Sequence, residues 1–179
     1  MTKRLFVGLE IPESSRATLA ELDTGIAGMR WLPPSNYHLT LSFLGQVNQE
    51  HEDDLRDALA DVKVSPFFLP IIGLDTFGGA KPSVLWAGVG TAHPHLFALH
   101  KQVQDAVLRA GLEPELKSFH PHITVARARD LKRAALEPFL RRHKETEFGL
   151  WRVNGLTLFS SRVSPEGSSY TAELRKPLG

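Results

Sequence analysis

The sequence predicts an α+β fold built mostly from antiparallel strands. Three observations lead there. Strand-like and helix-like segments alternate along the 179 residues, yet many links between strands are too short for the repeated crossovers that parallel strands need. Two strand-like segments, His38-Leu39-Thr40-Leu41 and His122-Ile123-Thr124-Val125, carry the same pattern, one in each half of the chain. Each is followed closely by a helix-like segment, as an internal duplication would give, although the repeat is weak outside these two segments.

The elements follow in order. Residues 5–9 (Leu-Phe-Val-Gly-Leu) read as a buried strand. Pro12, Ser14 and Ser15 start a short amphipathic helix carrying Ala17, Leu19 and Leu22, which Gly25 and Gly28 end. Trp31-Leu32-Pro33-Pro34 is extended, because a residue before proline is pushed out of helical space. The first histidine strand runs to Leu44 and Gly45 turns it. Residues 49–62 form a helix with Leu55, Ala58, Leu59 and Val62 on one face. Residues 67–74 form an apolar strand in which Pro70 implies an edge or a bulge. After a Phe77-Gly78-Gly79 turn come a strand at 84–88 and the longest helix, 95–110, with Gly111 as its C-cap. The second histidine strand occupies 119–127. A helix at 130–142 and strands at 147–153, 155–160 and 170–174 complete the chain.

Composition bounds the function. The chain has 42% hydrophobic and 23% charged residues, ordinary for a globular protein, and can bury a core without staples. It contains no cysteine, which excludes disulfides, thiolate zinc sites and cysteine nucleophiles. The apolar run at 5–9 is too short for a signal-peptide core or a membrane span, so the expectation is a cytoplasmic protein with no membrane partner. A net charge of +1 exerts no global pull on nucleic acid, so any RNA contact must be local. Basic residues do crowd the later half: Lys117, Arg127, Arg129, Lys132, Arg133, Arg141, Arg142 and Lys144. The run at 141–144 reads as a solvated helix face.

Strand parity gives the histidine segments their meaning. Side chains two apart share a face, so His38 lies with Thr40, and His122 with Thr124, while the aliphatic residues point the other way. Side by side, the strands would gather two imidazoles and two hydroxyls, a set that can move protons around a phosphate without a metal. His120 shares the His122 face and reads as a rim residue. Phe43, on the aliphatic face, is expected in the core. Arg127 points off the catalytic face by the same parity but stands at the strand's end, leaving open a phosphate contact or a surface cap. Trp31 and Trp86 either stack on bases or pack in the core or between lobes. His93, His95 and His100 lack partners at ligand spacing and read as a surface cluster at a helix start.

At this point the residues resemble a known family, the 2H phosphoesterases, and within it the RNA 2′,3′-cyclic phosphodiesterases, also called 2′-5′ RNA ligases. The opening strand Arg4 to Leu9 is similar, as are Trp31, Pro34, Asn36, the first motif and Phe43-Leu44-Gly45. So are Pro82 with Val84-Leu85-Trp86, then Phe119 and Pro121 through Arg127, and finally Leu158, Ser160, Ser161 and Tyr170. The resemblance covers nearly the whole chain, and neither catalytic position is substituted.

The resemblance implies two pseudo-symmetric lobes, each an antiparallel sheet backed by helices, around a central V-shaped cleft. Residues 1–179 then form one domain, with one motif (38–41 or 122–125) from each lobe. It implies hydrolysis of RNA 2′,3′-cyclic phosphate ends to 2′-phosphomonoesters, and weak 2′-5′ ligation in reverse. His38 is then the proton donor to the leaving 3′ oxygen and His122 the proton acceptor from water; the motif's symmetry alone does not order them. Thr40, Thr124 and Arg127 would hold the phosphate. Histidine's ordinary pKa suits both roles near neutrality, and hydroxyls can donate to oxygens gaining charge. The scheme needs no metal or other cofactor. Expected partners are RNA with cyclic ends, tRNA fragments included, or nucleoside cyclic phosphates, met by a monomer. The readings set against this are a 2H enzyme for a small cyclic phosphate or a 2′-5′ oligonucleotide, and a module that binds RNA ends without turnover.

Overall fold

A computed structural model describes residues 1–91 and 93–179. Among the described residues the strands are β1 (Thr2–Glu10), β2 (Met29–Trp31), β3 (His38–Asn48), β4 (Phe67–Phe77), β5 (Val84–Gly88), β6 (Ile123–Ala128), β7 (Glu147–Val153), β8 (Gly155–Ser164) and β9 (Gly167–Pro177). The helices are α1 (Glu13–Ala20), α2 (Gln49–Ala60), α3 (Pro94–Arg109) and α4 (Arg133–Arg142), with a 3-10 turn at Pro34–Asn36.

The strands form one curled sheet in the order β7-β4-β5-β6-β3-β1-β8-β9, with β2 added beside β6. The pairing of named strands is antiparallel throughout, as expected from the short links. The two lobes are therefore wings of a single sheet. One wing is β3-β1-β8-β9 and the other is β6-β5-β4-β7. A single residue pair, Leu39 with Ile123, joins the two inner strands.

Each helix has a local cause. Asn48 caps α2, its Oδ1 accepting from the His51 N–H at 2.9 Å. Leu55, Ala58 and Leu59 then face inward. His93 caps α3 through Nδ1, which accepts from the His95 N–H at 3.1 Å, and Pro94 fits the first turn, where its missing N–H costs nothing. Leu96, Leu99, Val103, Ala106 and Val107 form the buried stripe of α3, and Gly111 follows its end at φ 76°. Helices α2 and α3 pack on each other and on β3, and their apolar stripes join Leu39, Leu41, Ile123 and Val125 in one core. The core thus lies on the aliphatic face of both histidine strands.

One ion cluster ties α2 to the first wing. Glu52 is only 1% exposed, and its carboxylate meets Lys3 at 3.2 Å and Arg56 at 2.8 Å. Glu173 joins from β9, accepting from the Ser160 hydroxyl at 2.7 Å. A buried carboxylate needs such partners, since desolvation alone would disfavour its charge.

Several boundaries differ from the sequence reading, each for a physical reason. The short strand β2 is not among the expected elements; it ends on Trp31, where the segment read as extended begins, and forms because β6 outruns β3 and offers a free edge. Pro70 sits where β4 has only β7 beside it, next to a register shift, so both expected tolerances apply. Helix α4 keeps Pro138 inside a ten-residue span. Arg133 anchors its start through Asp75 at 3.1 Å, and Glu137 pairs with Arg141 at 3.8 Å, which accounts for part of the basic run.

Candidate active site

Leu39 and Ile123 are directly paired and fully buried, so they point to the same face of the sheet. Their neighbours His38, Thr40, His122 and Thr124 therefore project together on the opposite face. The histidines come from opposite wings and meet at the junction. They are close enough that the charge of His122 acts on His38.

The two imidazoles are held alike. The Nδ1–H of His38 donates to the Asn36 carbonyl at 2.8 Å, and that of His122 donates to the His120 carbonyl at 2.6 Å. A carbonyl can only accept, so Nδ1 carries the proton in each ring and Nε2 is left for chemistry. The Nε2 of His38 lies 2.9 Å from the Thr40 hydroxyl. In the neutral ring this nitrogen accepts from Thr40, and in the imidazolium it donates.

Aromatic walls surround each ring. His38 packs against Phe6 with centroids 4.8 Å apart and against Tyr170 at 5.2 Å, with Phe159 at 6.0 Å. His122 packs edge-on to Phe77 at 4.9 Å, with Trp86 at 6.1 Å. Burial is the main cause that depresses both pKa values below the ordinary histidine value of about 6.5. The backbone carbonyl opposes this at each ring. The charges of His122 and Arg16 push His38 further down, and that of His120 does the same to His122.

A shared irregularity corrects two expectations. In β3 the partner of Gly8 is Thr40 and the partner of Val7 is Ser42, so Leu41 is an extra residue. In β6 the partner of Trp86 is Thr124 and the partner of Leu85 is Ala126, so Val125 is extra. Each is a β-bulge, and each reverses the alternation beyond it. Burial follows: Leu41 and Ser42 are both buried, as are Val125 and Ala126. Phe43 consequently leaves the core, is 37% exposed and stacks beside Phe6 on the histidine face. Arg127, at the same offset from its histidine, turns onto that face too. Strand parity had put both residues on the other side.

Other side chains fall as follows. His120 is exposed and edges Trp86 and Phe77, a rim position. Trp86 lines the His122 wall, and Trp31 lies partly buried against the core in β2. The His93 and His95 rings pack on Phe67, and His100 stacks on Phe119 at 4.0 Å.

Sequence reasoning passed over Phe6, Phe159, Phe77 and Gly8. A Cβ on Gly8 would lie 2.9 Å from the Leu39 carbonyl oxygen, so glycine lets β1 approach β3 this closely beside the His38 ring, which the same Cβ would touch at 3.6 Å. The signal was present: in β1 both Leu5, Val7, Leu9 and the alternate Phe6 are apolar, the mark of a strand covered on both faces.

Known proteins resemble this chain in sequence and in fold. The family model of the 2′-5′ RNA ligase superfamily matches residues 12–164. An RNA 2′,3′-cyclic phosphodiesterase of Aquifex aeolicus is 34% identical over 176 residues, covering 94% of this chain and 93% of its own. One from Thermus thermophilus is 33% identical, covering 94% and 86%. The crystal structure of E. coli LigT with 3′-AMP has a TM-score of 0.80 at 26% identity and covers 99% of both chains. That of TT0787 from Thermus thermophilus has a TM-score of 0.80 at 28% identity, covering 98% and 97%. Motifs, fold and relatives agree, and the chain belongs to the 2′-5′ RNA ligase superfamily, the 2H phosphoesterases.

Proposed function

We propose that this protein hydrolyses RNA 2′,3′-cyclic phosphate ends to 2′-phosphomonoesters, with His38 and His122 as its acid and base. The observation that carries the reading is the Leu39–Ile123 pairing, which supports two imidazoles and two threonine hydroxyls meeting on one open face. The activity in the names of the Aquifex, Thermus and Bacillus subtilis relatives supports the same reaction.

The reaction needs two proton transfers on opposite sides of phosphorus. Nε2 of His122 takes a proton from water as the water oxygen bonds to phosphorus. The bond from phosphorus to the 3′ oxygen breaks, and Nε2 of His38 gives that oxygen a proton. The 2′ oxygen keeps the phosphate. Thr40 and Thr124 hydroxyls and the Arg127 guanidinium hold the non-bridging oxygens, where charge gathers. Backbone carbonyls fix both Nδ1 protons, so each ring meets substrate through Nε2. With a 5′ hydroxyl taking the place of water, the same pair joins a cyclic end through a 2′-5′ link as the 3′ oxygen leaves, a reaction that hydrolysis outruns in water.

The proposal extends to an enzyme in which both wings act as one domain. It works as a monomer in the cytoplasm on RNA ends, tRNA fragments included. Among the described residues no helix is long and apolar enough to cross a membrane. The scheme uses no cofactor.

The test uses an oligonucleotide ending in a 2′,3′-cyclic phosphate, with excess chelator present. A 2′-phosphomonoester at an undiminished rate is expected. A 3′-phosphate would reverse the acid and base, dependence on metal would reject the metal-free scheme, and no product would reject hydrolysis.

A further inference from the structure

We infer that Arg30 forms a second phosphate subsite beside the reaction centre. It would hold the phosphodiester joining the terminal nucleotide to the rest of an RNA strand, so that the enzyme favours strands over mononucleotides. The inference rests on the hydrolysis proposed above.

A groove of about 380 Å³ runs between β2 and the tip of the β8–β9 hairpin. It begins at the reaction centre, because two of its lining residues belong there. Tyr170 packs edge-on to His38, and Asn36 supplies the carbonyl that holds the His38 ring. Its far side carries Arg30 and Arg127.

These two arginines are direct partners in the β2–β6 pairing, so their side chains rise on one face. Like charges opposite one another disfavour the sheet unless something compensates them. Among the described residues neither guanidinium has a carboxylate within 4.0 Å. The nearby Glu166 carboxylate accepts from the Ser164 hydroxyl at 2.9 Å instead. Arg30 gives one N–H, from Nη2, to the Glu166 carbonyl at 2.9 Å, and its remaining donors face the groove or solvent. A paired cationic set with spare donors fits a phosphate, since guanidinium presents parallel N–H groups to two oxygens.

The chemistry of the neighbouring site selects the phosphate's source. A strand whose cyclic end lies between the histidines must leave that site somewhere, and its next phosphodiester is an anion. The corresponding position on the first wing holds Phe43 with a single arginine, Arg4, over its ring at 5.0 Å, and lacks the paired arginines of the second. The hairpin tip shapes the groove, with the Asn36 side chain donating to the Ser168 carbonyl at 2.7 Å.

The experiment compares steady-state hydrolysis of a nucleoside 2′,3′-cyclic phosphate with that of a short cyclic-ended oligomer. It uses the wild type, Arg30→Ala and Arg30→Gln. The wild type should favour the oligomer in KM. Arg30→Ala should raise the oligomer KM about tenfold or more, leaving kcat and the mononucleotide constants near wild type. The salt slope of oligomer binding should shrink by about 0.7, one phosphate contact to a single strand. Arg30→Gln keeps a donor for the Glu166 carbonyl but not the charge, and should match Arg30→Ala. A wild type indifferent to length, equal losses on both substrates, or rescue by Arg30→Gln would each overturn the subsite. The last two would make Arg30 a brace for the hairpin. A wild type inert on both substrates would instead overturn the hydrolysis itself.

Discussion

The two wings repeat one construction with different residues. In each, a histidine precedes a buried aliphatic, a threonine follows, and a bulge resets the alternation. Across from Thr40 lies Gly8, and across from Thr124 lies Trp86. Beyond the bulge the first wing presents Phe43 opposite Phe6, while the second presents Arg127 opposite Val84. The histidine and threonine of each motif are thus duplicated, and the residues beyond the bulge are not. A cyclic phosphate has a symmetric need, an acid and a base on opposite sides, and an asymmetric one, since charge and nucleoside lie in different directions. In the proposed reaction the duplicated histidines serve the first need and the divergent residues beyond the bulge the second.

That comparison can be broken where it is strongest. His38→Ala and His122→Ala should each lower kcat by about 10²–10⁴-fold with the fold intact, the range of one general acid or base. A large loss from one and none from the other would end the idea of a matched pair.

Next come the residues at the bulge offset. Arg127→Ala should cost on the order of tenfold to a hundredfold in kcat/KM, as a charge-assisted contact to phosphate would. Phe43→Ala should cost only a few-fold, because it removes part of a ring stack. Equal effects would mean that the wings contribute alike to binding. Kinetics on a nucleoside cyclic phosphate separate the cases.

A smaller effect sharpens the contrast between walls. Gly8→Ala places a methyl group against the Leu39 carbonyl oxygen and the His38 ring. It should cost about 1–3 kcal/mol in urea unfolding and lower kcat as His38 shifts. Gly88→Ala presses instead on the Ile72 carbonyl at 2.9 Å and meets the Trp86 ring at 3.7 Å, with no imidazole in direct contact. It should show a similar stability loss with a smaller change in kcat.

How much of this was legible beforehand follows from which forces are local. Caps and stripes depend on neighbours in sequence, so Gly111 and the faces of α2 and α3 follow from residue type. Parity within each motif is equally local, and it put His38 with Thr40 and His122 with Thr124. The bulges are not local. An extra residue at Leu41 or Val125 leaves no trace in a run of aliphatic side chains, because only the partner strand defines it as extra. Phe43 was therefore misplaced by the same rule that put His38 beside Thr40, and Arg127, whose role the sequence left open, lies beyond the second bulge. Strand β2 escaped because its pairing depends on how far β6 extends past β3. The aromatic walls needed the whole strand order, since Phe6, Phe159 and Tyr170 reach His38 from three strands.

The matched pair has its most direct test in pH–rate profiles of the wild type and the two histidine variants. Both imidazoles are depressed in the free protein, chiefly by burial. His122 must be neutral to accept a proton, so the acid limb of kcat/KM should lie below about pH 6.5. His38 must be protonated to donate, and its lowered pKa should make kcat/KM fall already near neutrality. In kcat the alkaline limb should move to higher pH, because the bound phosphate anion favours the imidazolium. The account predicts that His122→Ala loses the acid limb and His38→Ala loses the alkaline one, each at a greatly reduced rate. A full-rate bell in either variant would contradict it.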